Sequence, residues 1–229
     1  MPPTWKRLYF VHRSPALPPE AFVARWQQHS RLGGRFPDLL RRHVRVRYCL
    51  TLAATELSTP LARLHDGIGM LWLGSPQELD RPNEDPDVTP TMRKDELEVF
   101  EKPAFTWAMV VREETIVDGP LQPFVFLARF QRQDPGADAP FLAACKELAR
   151  EPAMAPVGRI TAGTLVRPST MESDATLELW FASREAAVAC VGRPDFQALV
   201  ERTFGSVVRS QGRAAYLTQV CHERLAAAA

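Results

Sequence analysis

The sequence predicts an α+β fold in which two ferredoxin-like βαββαβ repeats close on one another as a pseudo-dimeric α+β barrel within one chain. Two strand-like segments match position for position: Asp66-Gly-Ile-Gly-Met-Leu-Trp72-Leu-Gly-Ser75 and Asp174-Ala-Thr-Leu-Glu-Leu-Trp180-Phe-Ala-Ser183. Asp opens each, Trp follows six residues on and Ser three further. Strand and helix patterns then fall in the same order around both segments. A four-stranded sheet with helices on one side keeps a bare apolar face, which a second such sheet covers.

In the first half the pattern gives a strand from Lys6 to His12, a helix from about Pro19 to Arg31 and strands from Arg42 to Leu52 and Gly67 to Leu73. A broken helical region follows from Pro76 to Phe100, then a strand from Phe105 to Val111. The second half repeats this. It has a strand from Phe124 to Phe130, a helix around Pro140 to Arg150, and strands from Arg159 to Arg167 and Thr176 to Phe181. A helix from Arg184 to Phe204 and a strand from Ala214 to Cys221 complete it. Ser75 and Ser183 stand where a strand hands over to a helix, as N-caps. Pro76 suits a first helical turn, and Glu78 is placed to close a capping box. The turn-rich join Val117-Asp118-Gly119-Pro120 divides the chain into units 1–117 and 118–229.

Composition narrows the function. The 229 residues are 45% apolar and 24% charged, an ordinary globular balance. Lys and Arg number 28 against 27 Asp and Glu, so no basic excess points to nucleic acid. The apolar runs are too short for a bilayer, and Met1 to Arg7 lacks the hydrophobic core of a secretory signal. Cys49, Cys145, Cys190 and Cys221 are scattered with no paired motif, which reads as reduced thiols of a cytoplasmic protein and predicts no metal centre. Gly-rich phosphate loop, nucleophile elbow and His-Glu-x-x-His motif are all missing from the sequence. The expected partner is a small molecule, with no cofactor. Pairing of two chains through exposed helices or strand edges is left open.

The first helix carries the leading catalytic candidate. Phe22, Trp26, His29 and Gly33 fall at helical spacing, with His29 roughly 20° from Phe22 on the helical wheel. His29 therefore faces the sheet, where a partly desolvated imidazole can act as general acid or base. The alternative is a core histidine satisfied by a backbone carbonyl. In the second half Leu148 occupies the matching place, so packing alone does not require a histidine there. Asp66 is a candidate to orient His29, or else a turn aspartate before Gly67. Tyr9 and Tyr48 offer hydroxyls to an oxyanion, and Trp26 and Trp72 offer flat apolar walls. His43, Arg45 and Arg47 alternate along one strand, and Arg47 is the candidate to bind a carboxylate or phenolate. Residues 80–91, rich in proline and acid, read as a lid or a solvated loop. Asp95, Glu96, Glu98 and Glu101 read as a solvated acidic helix end, with a hard-cation site as the alternative.

The run Phe10-Val11-His12-Arg13-Ser14-Pro15 followed by Pro19-Glu20-Ala21-Phe22 and onward to Trp26 and His29 resembles the EthD family. His65-Asp66-Gly67-Ile68 through Ser75-Pro76, and the acidic run Asp95 to Phe100, are similar to that family's later segments. Together they span about the first 115 residues in order, and the second half looks like a diverged copy without the helix histidine. The resemblance implies a dimeric α+β barrel with a cleft between sheet and helices. It also implies small-molecule chemistry of the kinds found in that superfamily: cofactor-free decarboxylation, cyclisation or isomerisation, or oxygenation. A non-catalytic binding protein of a degradation pathway, and an oxidoreductase using oxygen or a haem-related ligand, are the alternatives.

Overall fold

The computed structural model describes residues 4–52, 65–211 and 213–225. Strand β1 (Thr4–Val11) lies between β3 (Gly67–Leu73) and β4 (Ala108–Val117), with β2 (His43–Thr51) beyond β3. From β2 the sheet continues through β8 (Ala214–Leu225), β5 (Phe124–Phe130), β7 (Ala175–Phe181) and β6 (Arg159–Leu165) back to β4. The order β1-β3-β2-β8-β5-β7-β6-β4 is a closed barrel, antiparallel at every junction. Closure leaves no edge among these eight strands to be capped or charged.

Among the described residues six helices lie outside the barrel: α1 (Pro19–Gly33), α2 (Pro37–Arg42), α3 (Val88–Val99), α4 (Asp138–Leu148), α5 (Arg184–Val191) and α6 (Pro194–Phe204). Strand residues alternate between the interior and the helical layer, as the two-residue period requires. Leu8, Phe10, Ile68, Met70 and Trp72 join Leu127 and Trp180 in the barrel core. Tyr9, Val11 and Leu71 pack instead with Phe22 and Trp26 of α1 and Val99 of α3. Every residue of β3 and β7 is buried, because helices cover one face and the barrel encloses the other. Among the described residues no helix is long and apolar enough to cross a membrane.

Several boundaries differ from expectation for identifiable reasons. The single helix expected over 184–204 is two, because Pro194 lacks the amide that would continue the ladder. Ser183 caps α5, its hydroxyl accepting from the Ala186 amide at 3.1 Å. Ser75 makes no side-chain cap; a short 3-10 turn (Pro76–Leu79) follows it, and the expected capping box is absent. Strand β4 begins three residues later than expected, since Phe105 sits in a 3-10 turn (Ala104–Trp107). In β2 the register slips between His43 and Arg45. That slip overturns the expectation that His43, Arg45 and Arg47 share a face, because one extra residue reverses the alternation.

Candidate active site

A cavity of about 220 Å³ opens between the outer face of β1-β3-β2 and helices α1, α2 and α3. Its sheet wall is set by two aromatic rings that lie flat on glycines. A side chain at Gly69 would run into the Tyr9 ring, and one at Gly67 into the Trp26 ring. The glycines of Asp66-Gly-Ile-Gly are therefore the floor on which these aromatics rest. Across β7 the corresponding positions are Ala175 and Leu177, and Ala128 stands opposite Leu177 where Tyr9 stands opposite Gly69. Large and small have changed places, and the second helical layer is filled by Phe126, Phe130, Phe141, Leu148 and Leu177.

His29 lies on the cavity wall, 5% exposed, with Phe100 edge-on at 5.8 Å. Its Nδ1 is 2.6 Å from Oδ2 of Asp95 on α3. Arg25, one turn earlier on α1, donates to Asp95 Oδ1 at 2.5 Å and to Glu98 at 3.0 Å. Burial works against the Asp95 charge, but the bonds from Arg25 and His29 outweigh it and hold its carboxyl below the usual range. A carboxylate only accepts, so Nδ1 carries the proton and Nε2 is the nitrogen offered to the cavity.

Tyr9 and Tyr48 form the neighbouring wall. Burial pushes both phenols above their ordinary range, so each hydroxyl stays protonated and able to donate. Tyr9 meets Phe105 edge-on at 5.4 Å, and Tyr48 stacks on Trp26 at 4.5 Å. Leu39, Val46, Leu71, Val88 and Met92 supply the apolar lining. An imidazole base, two phenolic donors and greasy walls in one recess can remove a proton and hold the resulting oxyanion.

Of the residues singled out from the sequence, His29, Tyr9 and Tyr48 come together here. Trp26 does not line the cavity: it is fully buried behind Tyr48, where it supports the wall. Asp66 does not pair with His29. Its carboxylate, half-exposed, accepts from the Arg13 amide at 2.8 Å and lies 3.8 Å from His12 Nδ1, which is the turn role. Trp72 points into the barrel, donating from Nε1 to Glu113 at 3.2 Å. Arg47 faces a separate, wider opening at the barrel end and is held by Glu223 through two 2.9 Å bonds. The 80–87 segment borders the cleft and is tied to α2: Arg42 donates to Arg81 O and Asn83, and Asp38 accepts from the Glu84 and Asp85 amides.

Asp95 and Glu96 belong to the site and not to a solvated helix end; Glu96 is buried on the cavity wall. The signal for Asp95 was Arg25 and His29 standing four residues apart on α1, two groups that both want an anion. Arg7 was also readable, because it alternates with Tyr9 on β1 and so shares its face. His43 reached the cavity through the slip in β2, and Arg224 through the added length of β8, neither of which the pattern showed. Among the described residues no cluster of three or more His, Cys, Asp or Glu could hold a metal, and all four cysteines are free.

No protein-family model matches the sequence, and no curated protein does. Solved structures do resemble it along nearly its whole length. An anthrone oxidase-like protein superposes with a TM-score of 0.66 at 13% identity, covering 99% of this chain and 94% of the other. A monooxygenase-like protein of Fusobacterium nucleatum gives 0.60 at 8% identity over 97% and 94%. A chlorite dismutase from Candidatus Nitrospira defluvii gives 0.54 at 9% over 95% and 92%. The chain shares the fold of these neighbours, an α+β barrel of eight antiparallel strands with helices outside it. At such identities the likeness is one of architecture, and the chemistry has to be argued from the cleft.

Proposed function

We propose that the chain is a small-molecule enzyme in which His29 transfers a proton to or from an acidic C–H or O–H of an aromatic, lactone or polyketide-like substrate. The observation that carries this is the 2.6 Å contact of His29 Nδ1 with Asp95, which leaves Nε2 as the ring nitrogen available to the cavity. Asp95 takes the orienting role that the sequence offered to Asp66. Tyr9 and Tyr48 donate to the oxygen on which charge collects, and the apolar lining keeps water from competing. A carbanion or enolate formed there, by proton removal or by loss of carbon dioxide from a substrate carboxylate, can close a ring or be protonated at carbon by His29. It can also react with dioxygen, a reading favoured by the names of the structural neighbours, anthrone oxidase-like and monooxygenase-like.

The chain also reads as two units, 1–117 and 118–229, of which the first carries His29, Tyr9 and Tyr48 while Arg224 of the second reaches the same cavity. What supports this is the matching strand order, β4-β1-β3-β2 in one half and β8-β5-β7-β6 in the other, with Leu148 in the place of His29. The EthD-like reading of the first unit rests on its motif residues alone.

Incubation with anthrone, lactone and phenol candidates in deuterium oxide, with and without air, tests the reading. Isotope uptake at an acidic carbon, lost in His29→Gln, is the expected result. Consumption confined to aerobic samples would identify the oxygenase branch. Binding without exchange or consumption would make the protein a non-catalytic binder.

A further inference from the structure

We propose that the row of sheet residues next to the tyrosines is a carboxylate-recognition subsite, so that the substrate is a small apolar acid. This rests on the same cleft being the active site. Two cross-strand rows line it. One runs Tyr9–Gly69–Tyr48–His222, and the next runs Arg7–Leu71–Val46–Arg224. The second row is thus apolar in its middle and cationic at both ends. Arg42 and His43 join it from the end of α2 and the start of β2.

Among the described residues no carboxylate pairs with Arg7, Arg42 or Arg224. Arg47, Arg132 and Arg159 elsewhere in the molecule each hold a carboxylate. Arg7 instead lies over the Phe105 ring at 4.1 Å, and Arg42 donates only to a carbonyl and an amide oxygen. Arg42 Nε, His43 Nε2 and Arg224 Nη1 are all buried without a hydrogen-bond partner. The nearby acids are Glu96 across the cavity, with Arg93 at 4.0 Å, Asp95, held by Arg25 and His29, and exposed Asp80, held by Arg167 at 2.7 Å. With Glu96 beside Arg93, the guanidiniums of Arg7, Arg42 and Arg224 are an excess of positive charge in the recess, an arrangement that an incoming anion completes. The crowding also shows in the groups themselves: burial, Arg7, Arg224 and Arg42 lower His43 to about 3, so it faces the recess as a neutral ring. Burial together with Arg42 and Arg167 lowers Arg7 to about 10, which still leaves it charged at neutral pH.

The spacing then orders a substrate along the cleft. Its carboxylate is taken by the guanidiniums of Arg7, Arg42 and Arg224 over the Leu71–Val46 row, and its flat body extends to the neighbouring Tyr9–Tyr48 row, where the reactive end meets His29. Such a split would let one end anchor while the other reacts.

Calorimetric titration with 2-naphthoate and its neutral analogue 2-naphthalenemethanol tests the assignment. The acid should bind the wild-type protein at least about tenfold more tightly, with affinity falling as salt rises. Arg7→Met and Arg224→Met, each checked for folding by circular dichroism, should each remove that preference. His29→Gln should keep it, which separates this subsite from the proton-transfer reading: the preference survives even if His29 proves to move no proton. Equal binding of acid and alcohol, binding of neither, a preference intact in both arginine variants, or its loss in His29→Gln would each overturn the proposal.

Discussion

His29 Nδ1 and Asp95 Oδ2 stand 2.6 Å apart, joining α1 to α3 directly above the cleft. Because the carboxylate accepts, this contact fixes which ring nitrogen faces substrate. Asp95→Asn should leave the fold intact and release the tautomer, since the amide can donate to Nδ1 and move the ring proton to Nε2. Turnover should fall by about two to three orders of magnitude. Imidazole nitrogen shifts measured by NMR give a readout independent of substrate. A wild-type ring protonated at Nε2, or an Asp95→Asn variant unchanged in shift and rate, contradicts the assigned roles.

The lining of the cleft shows what sequence can and cannot reveal. The barrel was legible because repeated strands, a doubled Asp-to-Trp spacing and bare sheet faces all follow from local periodicity. His29 was legible for the same reason, as one residue of a helical stripe. Asp95 was hidden because its partner lies 66 residues away, and nothing local separates a paired acid from a solvated one. His43 and Arg47 were misplaced by one residue of slip in β2, which a period-two reading has no means to detect. Arg224 depended on how far β8 runs, and that is decided by pairing with β2 through Arg45 and Leu225.

Tyr9 and Gly69 face one another as large and small, while Ala128 and Leu177 do so with the sizes exchanged. Gly69→Ala alone should destabilise the protein by about 1–3 kcal/mol or more, as the methyl displaces the Tyr9 ring. Gly69→Leu alone should cost more, and combining it with Tyr9→Ala should recover a substantial part of that larger loss by copying the second layer. Urea midpoints of the two single variants and the double variant measure the coupling. Simple additivity would mean that the two sites do not share space.

Lys6, Glu113 and Glu178 meet inside the barrel, each 5% exposed or less. Lys6 Nζ contacts Glu113 and lies 2.6 Å from Glu178, whose other oxygen accepts from Thr161 at 3.1 Å. Burial lowers the Lys6 ammonium, but the two carboxylates outweigh it and raise it overall; burial raises the Glu178 carboxyl. Lys6→Met would strand two acids in an apolar core, at a cost of about 3–5 kcal/mol near neutrality. Folded-state protonation then matters. A carboxyl raised above its unfolded value, as Glu178 is, binds a proton on folding, so its contribution is retained below about pH 4.5 and lost as pH rises. Denaturant unfolding should therefore show a smaller gap from wild type at pH 4.5 than at pH 7.5. A gap independent of pH would show that the triad is not ionised as described.

His65 supplies the opposite pH dependence. Its Nδ1 is 3.0 Å from the Tyr216 hydroxyl, which accepts from Arg129 at 3.0 Å, and the His12 ring stacks on it at 4.9 Å. Burial, then His12 and Arg129, lower it from 6.5 to about 4. The unfolded chain binds a proton at 6.5 that the folded protein refuses until about 4, so stability is full above that upper value and declines as pH falls through the window. The loss by pH 4 is at most roughly 3 kcal/mol. His43, lowered to about 3, continues the decline in the same direction. His65→Gln removes the titrating ring while keeping polar atoms beside Tyr216. Its unfolding midpoint should fall less than that of wild type between pH 7 and pH 4.5. Parallel curves for the two proteins would mean that His65 titrates alike in both states and that burial beside Arg129 does not hold it neutral.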